Sequence, residues 1–254
     1  MATEAPVISI RGLVTRIGSN LIHDHVDLDV QRGEVIAIVG GSGSGKSVLL
    51  RSIVGLMRPT GGSIQVLGHD VLAIDEHAMR WLQMRWGVLF QEGALFSSQT
   101  VAENVQVPLR EYTNMPQELM NEISAMKLSM VGLDGDAAAK HPSELSGGMK
   151  KRASLARALV LDPEIVFLDE PTAGLDPIAA NNFDELIREL QKSLNLTVFM
   201  VTHDLDTLRS IADRVAVLVN KRLKVGTIES LRKDPDPWIQ EYFSGPRGRA
   251  ALAT

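Results

Sequence analysis

The sequence predicts an α/β fold built on a mainly parallel sheet, and three observations carry that prediction. Short apolar runs at Val35–Val39, Gly87–Phe90, Ile165–Leu168, Thr197–Val201 and Val215–Val219 have the length of buried strands, and most are rich in β-branched residues. Most are separated by helix-like stretches, the alternation that sets helices on the faces of a parallel sheet. Polar and glycine-rich residues follow several of these runs directly, at the strand edge where open parallel sheets bind ligands.

Taken in order, the first third adds "VISIRGLVTRI" and "GGSIQVLGHDV", short alternating or β-branched pieces divided by glycines. They read as an antiparallel flank. Between Glu103 and Lys140 the β-branched clusters thin out, and "MPQELMNEISAMKLSMVGLDGDAAAKH" reads as an inserted helical subdomain. Met115, Met120, Met126 and Met130 are expected to fill core rather than bind a ligand. From Pro235 onward Trp238, Tyr242 and Phe243 are spaced to share one face of a short helix, packed on this chain or on a partner. The final "GPRGRAALAT" reads as a flexible tail.

Composition bounds the function. At 254 residues, 44% hydrophobic and 22% charged, the chain can bury a large core. Its net charge of -5 gives no global reason to expect nucleic acid as a partner. With no cysteine, neither disulfides nor thiolate-bound metal contribute. The start, "MATEAPVISIRG", lacks the basic flank and apolar core of a secretory signal, and no apolar run approaches a membrane span. Service to a membrane is therefore expected to run through another chain.

The strongest local signal is "VIAIVGGSGSGKSVLLRSIVGL": an apolar strand, then Gly40-x-x-x-x-Gly45-Lys46-Ser47, then an apolar-periodic helix. Gly40, Gly41, Ser42, Gly43, Ser44 and Gly45 form a loop whose N–H groups can wrap phosphate, with Val48 in the helix that adds its dipole. Lys46 is expected on the β- and γ-phosphates and Ser47 on Mg²⁺. "EIVFLDEP" sets Asp169 and Glu170 at a strand end, where Asp169 can orient the metal and Glu170 can polarise an attacking water. His203 follows another apolar run and is a candidate γ-phosphate contact; Gln91, after "WGVLF", can offer an amide to metal or water.

Together with "LSGGM" and "AGLD", these motifs occur in the order and spacing of an ATP-binding cassette ATPase, which residues from about 7 to 230 resemble. The resemblance implies a P-loop core, residues 1–92 and 161–230, with an antiparallel β flank; a helical subdomain, 93–160, with the signature; and a C-terminal extension, 231–254. It implies ATP and Mg²⁺ as ligands, Glu170 as catalytic base, Lys46 on phosphate, His203 as γ-phosphate sensor, and Ser47 and Gln91 on the metal, beside Asp169. It also implies a homodimer, in which Ser146, Gly147, Gly148 and Met149 close in trans over ATP on the other copy while Asp176 aligns the facing sites.

Two features depart from the family pattern. Ile17 in "VTRIGSN" stands near where an aromatic residue stacks on adenine, so the base contact is expected to be apolar. Met149 stands where glutamine is commonest.

"EGALFSSQTVAENVQVPLREYT" and the "LSGGM" signature followed by basic residues are similar to ATPases of the bacterial MCE-linked phospholipid transporters, the Mla type. That likeness implies a separate integral-membrane permease, a periplasmic MCE protein, a STAS-domain accessory protein, no nucleic acid, and a peripheral place on the cytoplasmic face of the inner membrane. Two alternatives stand beside it: a transporter ATPase for another cargo, and a soluble cassette ATPase outside transport. A regulatory module without turnover is disfavoured by the presence of both Lys46 and Glu170.

Overall fold

The computed structural model describes residues 5–133 and 135–245. The expected tail from Pro246 lies outside the described residues. In chain order the elements are β1 (Ile8–Ile17), β2 (Asn20–Val30), β3 (Val35–Val39), α1 (Lys46–Ile53), β4 (Gly61–Val66), β5 (His69–Asp70), α2 (Glu76–Gln83), β6 (Trp86–Leu89), α3 (Val101–Tyr112), α4 (Gln117–Met130) and α5 (Gly135–Ala138). A 3₁₀ turn, Pro142–Glu144, precedes α6 (Gly147–Leu159), β7 (Ile165–Asp169), α7 (Pro177–Leu194), β8 (Thr197–Val201), α8 (Leu205–Ile211), β9 (Arg214–Val219), β10 (Arg222–Gly226), α9 (Ile228–Leu231) and α10 (Pro237–Ser244). Contacts divide them into two compact units, one comprising residues up to Leu82 with those from Thr197, the other Gln83–Leu196.

The first unit holds the antiparallel flank, in strand order β2-β1-β4-β5, and a run β10-β9-β3-β8. β3 pairs parallel with both β8 and β9, and all five of its residues are buried, as its unbroken apolar sequence requires. The flank is larger than its sequence suggests, because "NLIHDHVDLDV" forms the eleven-residue strand β2. Its alternation puts Val26, Leu28 and Val30 inside with Asp27 and Asp29 between them, but nearer the start of the strand the period breaks at left-handed His25, φ 53, and a polar residue, His23, takes a buried place. β10 is a second unforeseen strand, reached through Asn220 and Lys221, both left-handed at φ 50 and 67, as a two-residue hairpin turn demands. Arg214 clamps the base of this unit, donating to both oxygens of nearly buried Glu34 at 2.8 and 2.9 Å.

The second unit carries the parallel pair β6–β7 and the helices α3 to α7. Trp86 meets Phe167 edge-on across that pair, ring centres 5.9 Å apart. A Cβ on Gly87 would lie 2.0 Å from the Ala158 carbonyl oxygen, so only glycine lets β6 approach α6 this closely. The helical insert is present: Thr100 and Glu103 form a reciprocal capping box at the start of α3. Of the four methionines expected to fill core, Met120 is buried but Met126 is half exposed, at 51%.

Candidate functional site

In the first unit the loop Gly40–Gly45 leaves buried β3 and enters α1. Gly40, Gly43 and Gly45 hold φ of 157, 74 and 110, values open to glycine. Two also make close approaches. A Cβ on Gly40 would meet the Leu218 carbonyl at 2.6 Å, and one on Gly45 would meet Ile22 Cγ2 at 2.5 Å and His23 Nε2 at 2.8 Å. No side chain caps α1. An uncapped glycine-led helix start is a ready anion site.

Lys46 Nζ donates to the Gly40 and Gly41 carbonyls at 2.9 and 3.1 Å, which folds the lysine over the loop. Ser44 Oγ is buried with no hydrogen-bond partner among the described residues. An orphaned hydroxyl inside such a loop is what an arriving phosphate oxygen satisfies. Ser42 and Gly43 are exposed at the loop tip, Ser47 and Val48 are half-buried, and Ile17 is 47% exposed at the end of β1.

Two contributors to this loop escaped the sequence reading. His23, fully buried on β2, donates from Nε2 to the Gly45 carbonyl at 3.2 Å, and burial pushes its pKa below the ordinary 6.5. The helix α10 is the other. Ile239 and Phe243 are buried, and the indole Nε1 of Trp238 stands 3.8 Å from the Cβ position of Gly41. Trp238 stacks on Tyr242, whose hydroxyl donates to the His203 carbonyl at 3.2 Å. The aromatic segment thus packs on its own chain, beside the phosphate loop and the exposed His203.

In the second unit Asp169 ends β7, 3% exposed, and Glu170 follows in the left-handed region at φ 50. Leu89 of β6 pairs with Leu168 of β7, so Gln91 and Glu170 leave the same edge of one parallel pair. Lys151, buried on α6, donates to the backbone carbonyls of both Gln91 and Glu170, the latter at 2.9 Å. Sequence offered one clue to it. Lys151 begins a stretch that continues with small and apolar residues, Ala153, Ser154, Leu155 and Ala156, and all four of these are buried on α6.

The signature forms the start of α6. Ser146 is its N-cap, accepting from the Met149 N–H at 3.2 Å, and Ser146 and Gly147 are exposed while Gly148 and Met149 are half-buried. Asp176 caps α7, accepting from the Ile178 and Ala179 N–H groups at 3.1 and 2.9 Å.

A glycine loop closed by lysine and serine, with paired carboxylates ending a parallel strand elsewhere in the same α/β chain, defines a phosphate-loop nucleoside-triphosphate hydrolase. The family is then specific: residues 23–173 match the ABC transporter model, and the chain belongs to that family as an ATP-hydrolysing cassette.

Among its relatives is the intermembrane phospholipid transport system ATP-binding protein MlaF of Haemophilus influenzae, 40% identical over 94% of this chain and 90% of that protein. The probable ribonucleotide transport ATP-binding protein mkl of Mycobacterium leprae is 41% identical over 94% of this chain and 69% of that protein. Solved structures agree on the fold. The dimeric cassette MJ0796, in a post-hydrolysis state bound to ADP and Pi, superposes with TM-score 0.79 at 28% identity, over 87% of this chain and 98% of that one. The cassette cbiO1 from Clostridium perfringens, part of the transporter complex cbiONQ, gives 0.81 at 27% identity over 99% and 100%. Among the described residues no helix is long and apolar enough to cross a membrane.

Proposed function

We propose that this chain is the ATPase subunit of a transporter that moves phospholipid between the inner and outer membranes through a separate permease, working as a homodimer. The cargo rests on one observation, the 40% identity that runs through 90% of MlaF. The likeness to mkl extends over a smaller share of that protein and supports ribonucleotide as the competing cargo. An MCE protein, a STAS-domain partner and a peripheral place on the cytoplasmic face belong to the phospholipid reading.

In this reading the loop amides, the Ser44 hydroxyl and Lys46 hold the phosphates, Ile17 lies against adenine, and His203 contacts the γ-phosphate. Glu170 accepts the proton of the attacking water. Among the described residues no cluster of three His, Cys, Asp or Glu side chains could hold a metal alone. A hydroxyl, an amide and one carboxylate, from Ser47, Gln91 and Asp169, instead suit a Mg²⁺ that arrives with nucleotide and keeps part of its water. That ion would neutralise charge on the phosphates. Ser146, Gly147, Gly148 and Met149 act on the nucleotide of the facing copy, and Asp176 aligns the two copies through the start of α7.

Affinity purification from detergent-extracted membranes, followed by ATPase assays of the complex, tests the cargo. An MCE protein and permease should co-purify, and phospholipid should stimulate turnover; a permease without an MCE partner, or stimulation by ribonucleotide alone, overturns it. For the chemistry, Glu170→Gln should keep ATP binding and lower turnover by about a hundredfold or more. Ser146→Arg should leave nucleotide binding to the monomer intact and stop hydrolysis, whereas parental activity would remove the trans site.

A further inference from the structure

The helix that begins with the signature carries three polar side chains on a second face. Lys151, Ser154 and Arg157 recur every three residues on α6 and therefore lie along one stripe. All three reach the segment that follows β6. Lys151 Nζ donates to the Gln91 carbonyl, Ser154 Oγ lies 3.0 Å from the Gly93 carbonyl, and Arg157 donates to the Gly93 and Ala94 carbonyls at 2.7 and 2.8 Å. Gly93 is left-handed at φ 77, and a Cβ there would strike Ser154 Oγ at 2.5 Å. The loop is thus laid directly on the helix.

Lys151 makes one further bond, to the Glu170 carbonyl at 2.9 Å. That bond falls on a strained residue. Glu170 has φ 50, a conformation that residues with a Cβ rarely adopt and that persists where the surroundings hold it. Its carbonyl also accepts from the Ala173 N–H at 3.2 Å, so two donors fix the peptide that aims the carboxylate. Burial pushes the Lys151 pKa down, while the carboxylates of Glu170, Asp169 and Glu92 oppose the shift.

We propose that Lys151 is a positioning residue for hydrolysis: by bonding the Gln91 and Glu170 carbonyls together, it joins the signature helix, the Gln91 segment and the catalytic carboxylate into one body. Seating of Ser146–Gly148 on the facing copy's nucleotide then sets the aim of Glu170 in its own copy. This inference rests on the assignment of Glu170 as base, and it adds to that assignment a reason for turnover to depend on the signature.

The test uses the full-length homodimer with Mg-ATP. Lys151→Met removes both bonds, Lys151→Gln is short enough to keep only one, and Lys151→Arg retains donors for both. Lys151→Met should lower kcat by about tenfold or more, with KM and the affinity for a fluorescent ADP analogue changed by less than about twofold. Lys151→Arg should restore kcat to within about threefold of the parent. Should Lys151→Met fail to fold, Lys151→Gln carries the same reading, with a lowered kcat at unchanged KM. Parental kcat in the donor-poor variants, an equal loss of nucleotide affinity, or an arginine variant as slow as the methionine one overturns the proposal. Glu170→Gln is measured alongside. Parental turnover there defeats the base assignment, whereas an inactive Glu170→Gln with a normal Lys151→Met defeats the positioning role alone.

Discussion

Replacing Gly45 by alanine tests whether the start of β2, at Ile22 and His23, shapes the phosphate loop. Gly45 and Gly43 both have positive φ, 110 and 74, so alanine at either carries a backbone cost of about 1–2 kcal/mol. Their surroundings differ. The Gly43 Cβ position has nothing within 4 Å, while that of Gly45 lies 2.5 Å from Ile22 Cγ2 and 2.8 Å from His23 Nε2. The His23 ring is fully buried and donates to the Gly45 carbonyl, so relief by rotation would break that bond. Overpacking then adds about 1–3 kcal/mol to Gly45→Ala alone. At about 2–4 °C per kcal/mol for a chain of this size, that difference is readable in nucleotide-free thermal unfolding. Ile22→Ala in the Gly45→Ala background should recover part of the loss, because it deletes the nearest clashing atom. Equal melting temperatures for the two glycine variants, or no recovery in the double variant, would refute the reasoning.

Ser44→Ala removes a buried hydroxyl that has no partner among the described residues, so the nucleotide-free protein should be no less stable, while ATP affinity falls about three- to tenfold. Titration with a fluorescent ATP analogue checks it, and unchanged affinity would remove Ser44 from the cradle. His23 gives a pH dependence: its folded pKa lies below 6.5, so between the two values the unfolded chain binds more protons and stability rises with pH. Its contribution is complete above about pH 6.5 and is lost as the pH falls below it; His23→Gln should flatten the melting-temperature slope there, and parallel slopes would contradict the assignment. Tyr242→Phe deletes the donor to the His203 carbonyl and should lower kcat a few-fold while shifting stability by less than about 1 kcal/mol; a steady-state assay with parental kcat would make α10 a passive prop.

The parts of the site that follow buried strands were legible in the sequence. Val35–Val39, Ile165–Leu168 and Thr197–Val201 read as buried strands, so the glycine loop, the carboxylate pair and His203 could be placed at strand ends before any coordinates. The short aromatic helix was legible too, from the spacing of Trp238, Tyr242 and Phe243. What escaped depended on contacts distant along the chain. His23 lies twenty-two residues from the Gly45 carbonyl it bonds, and Lys151 lies sixty from Gln91. Nor does any local pattern say that Tyr242 will meet His203, thirty-nine residues away. β2 was missed for a different reason: the alternation of Val26, Leu28 and Val30 with Asp27 and Asp29 covers only five residues, and before it buried His23 and left-handed His25 break the period that would mark an eleven-residue strand.

The glycine-rich starts of α1 and α6 look alike in sequence and differ in chemistry. At α1, Gly45 occupies the cap position and brings no side chain, so the helix start is left to an incoming anion. At α6, Ser146 fills the cap, but it does so with a lone pair, accepting the Met149 N–H. A serine hydroxyl has a hydrogen as well, and accepting the cap bond leaves that hydrogen able to donate to a phosphate oxygen. The same atom can therefore hold the helix and meet nucleotide, which alanine could not do and which aspartate could do only in its capping half. The geometry also explains why methionine is acceptable at position 149. That residue gives the cap its backbone N–H, a group every amino acid except proline supplies, so the cap bond itself does not depend on which side chain stands there.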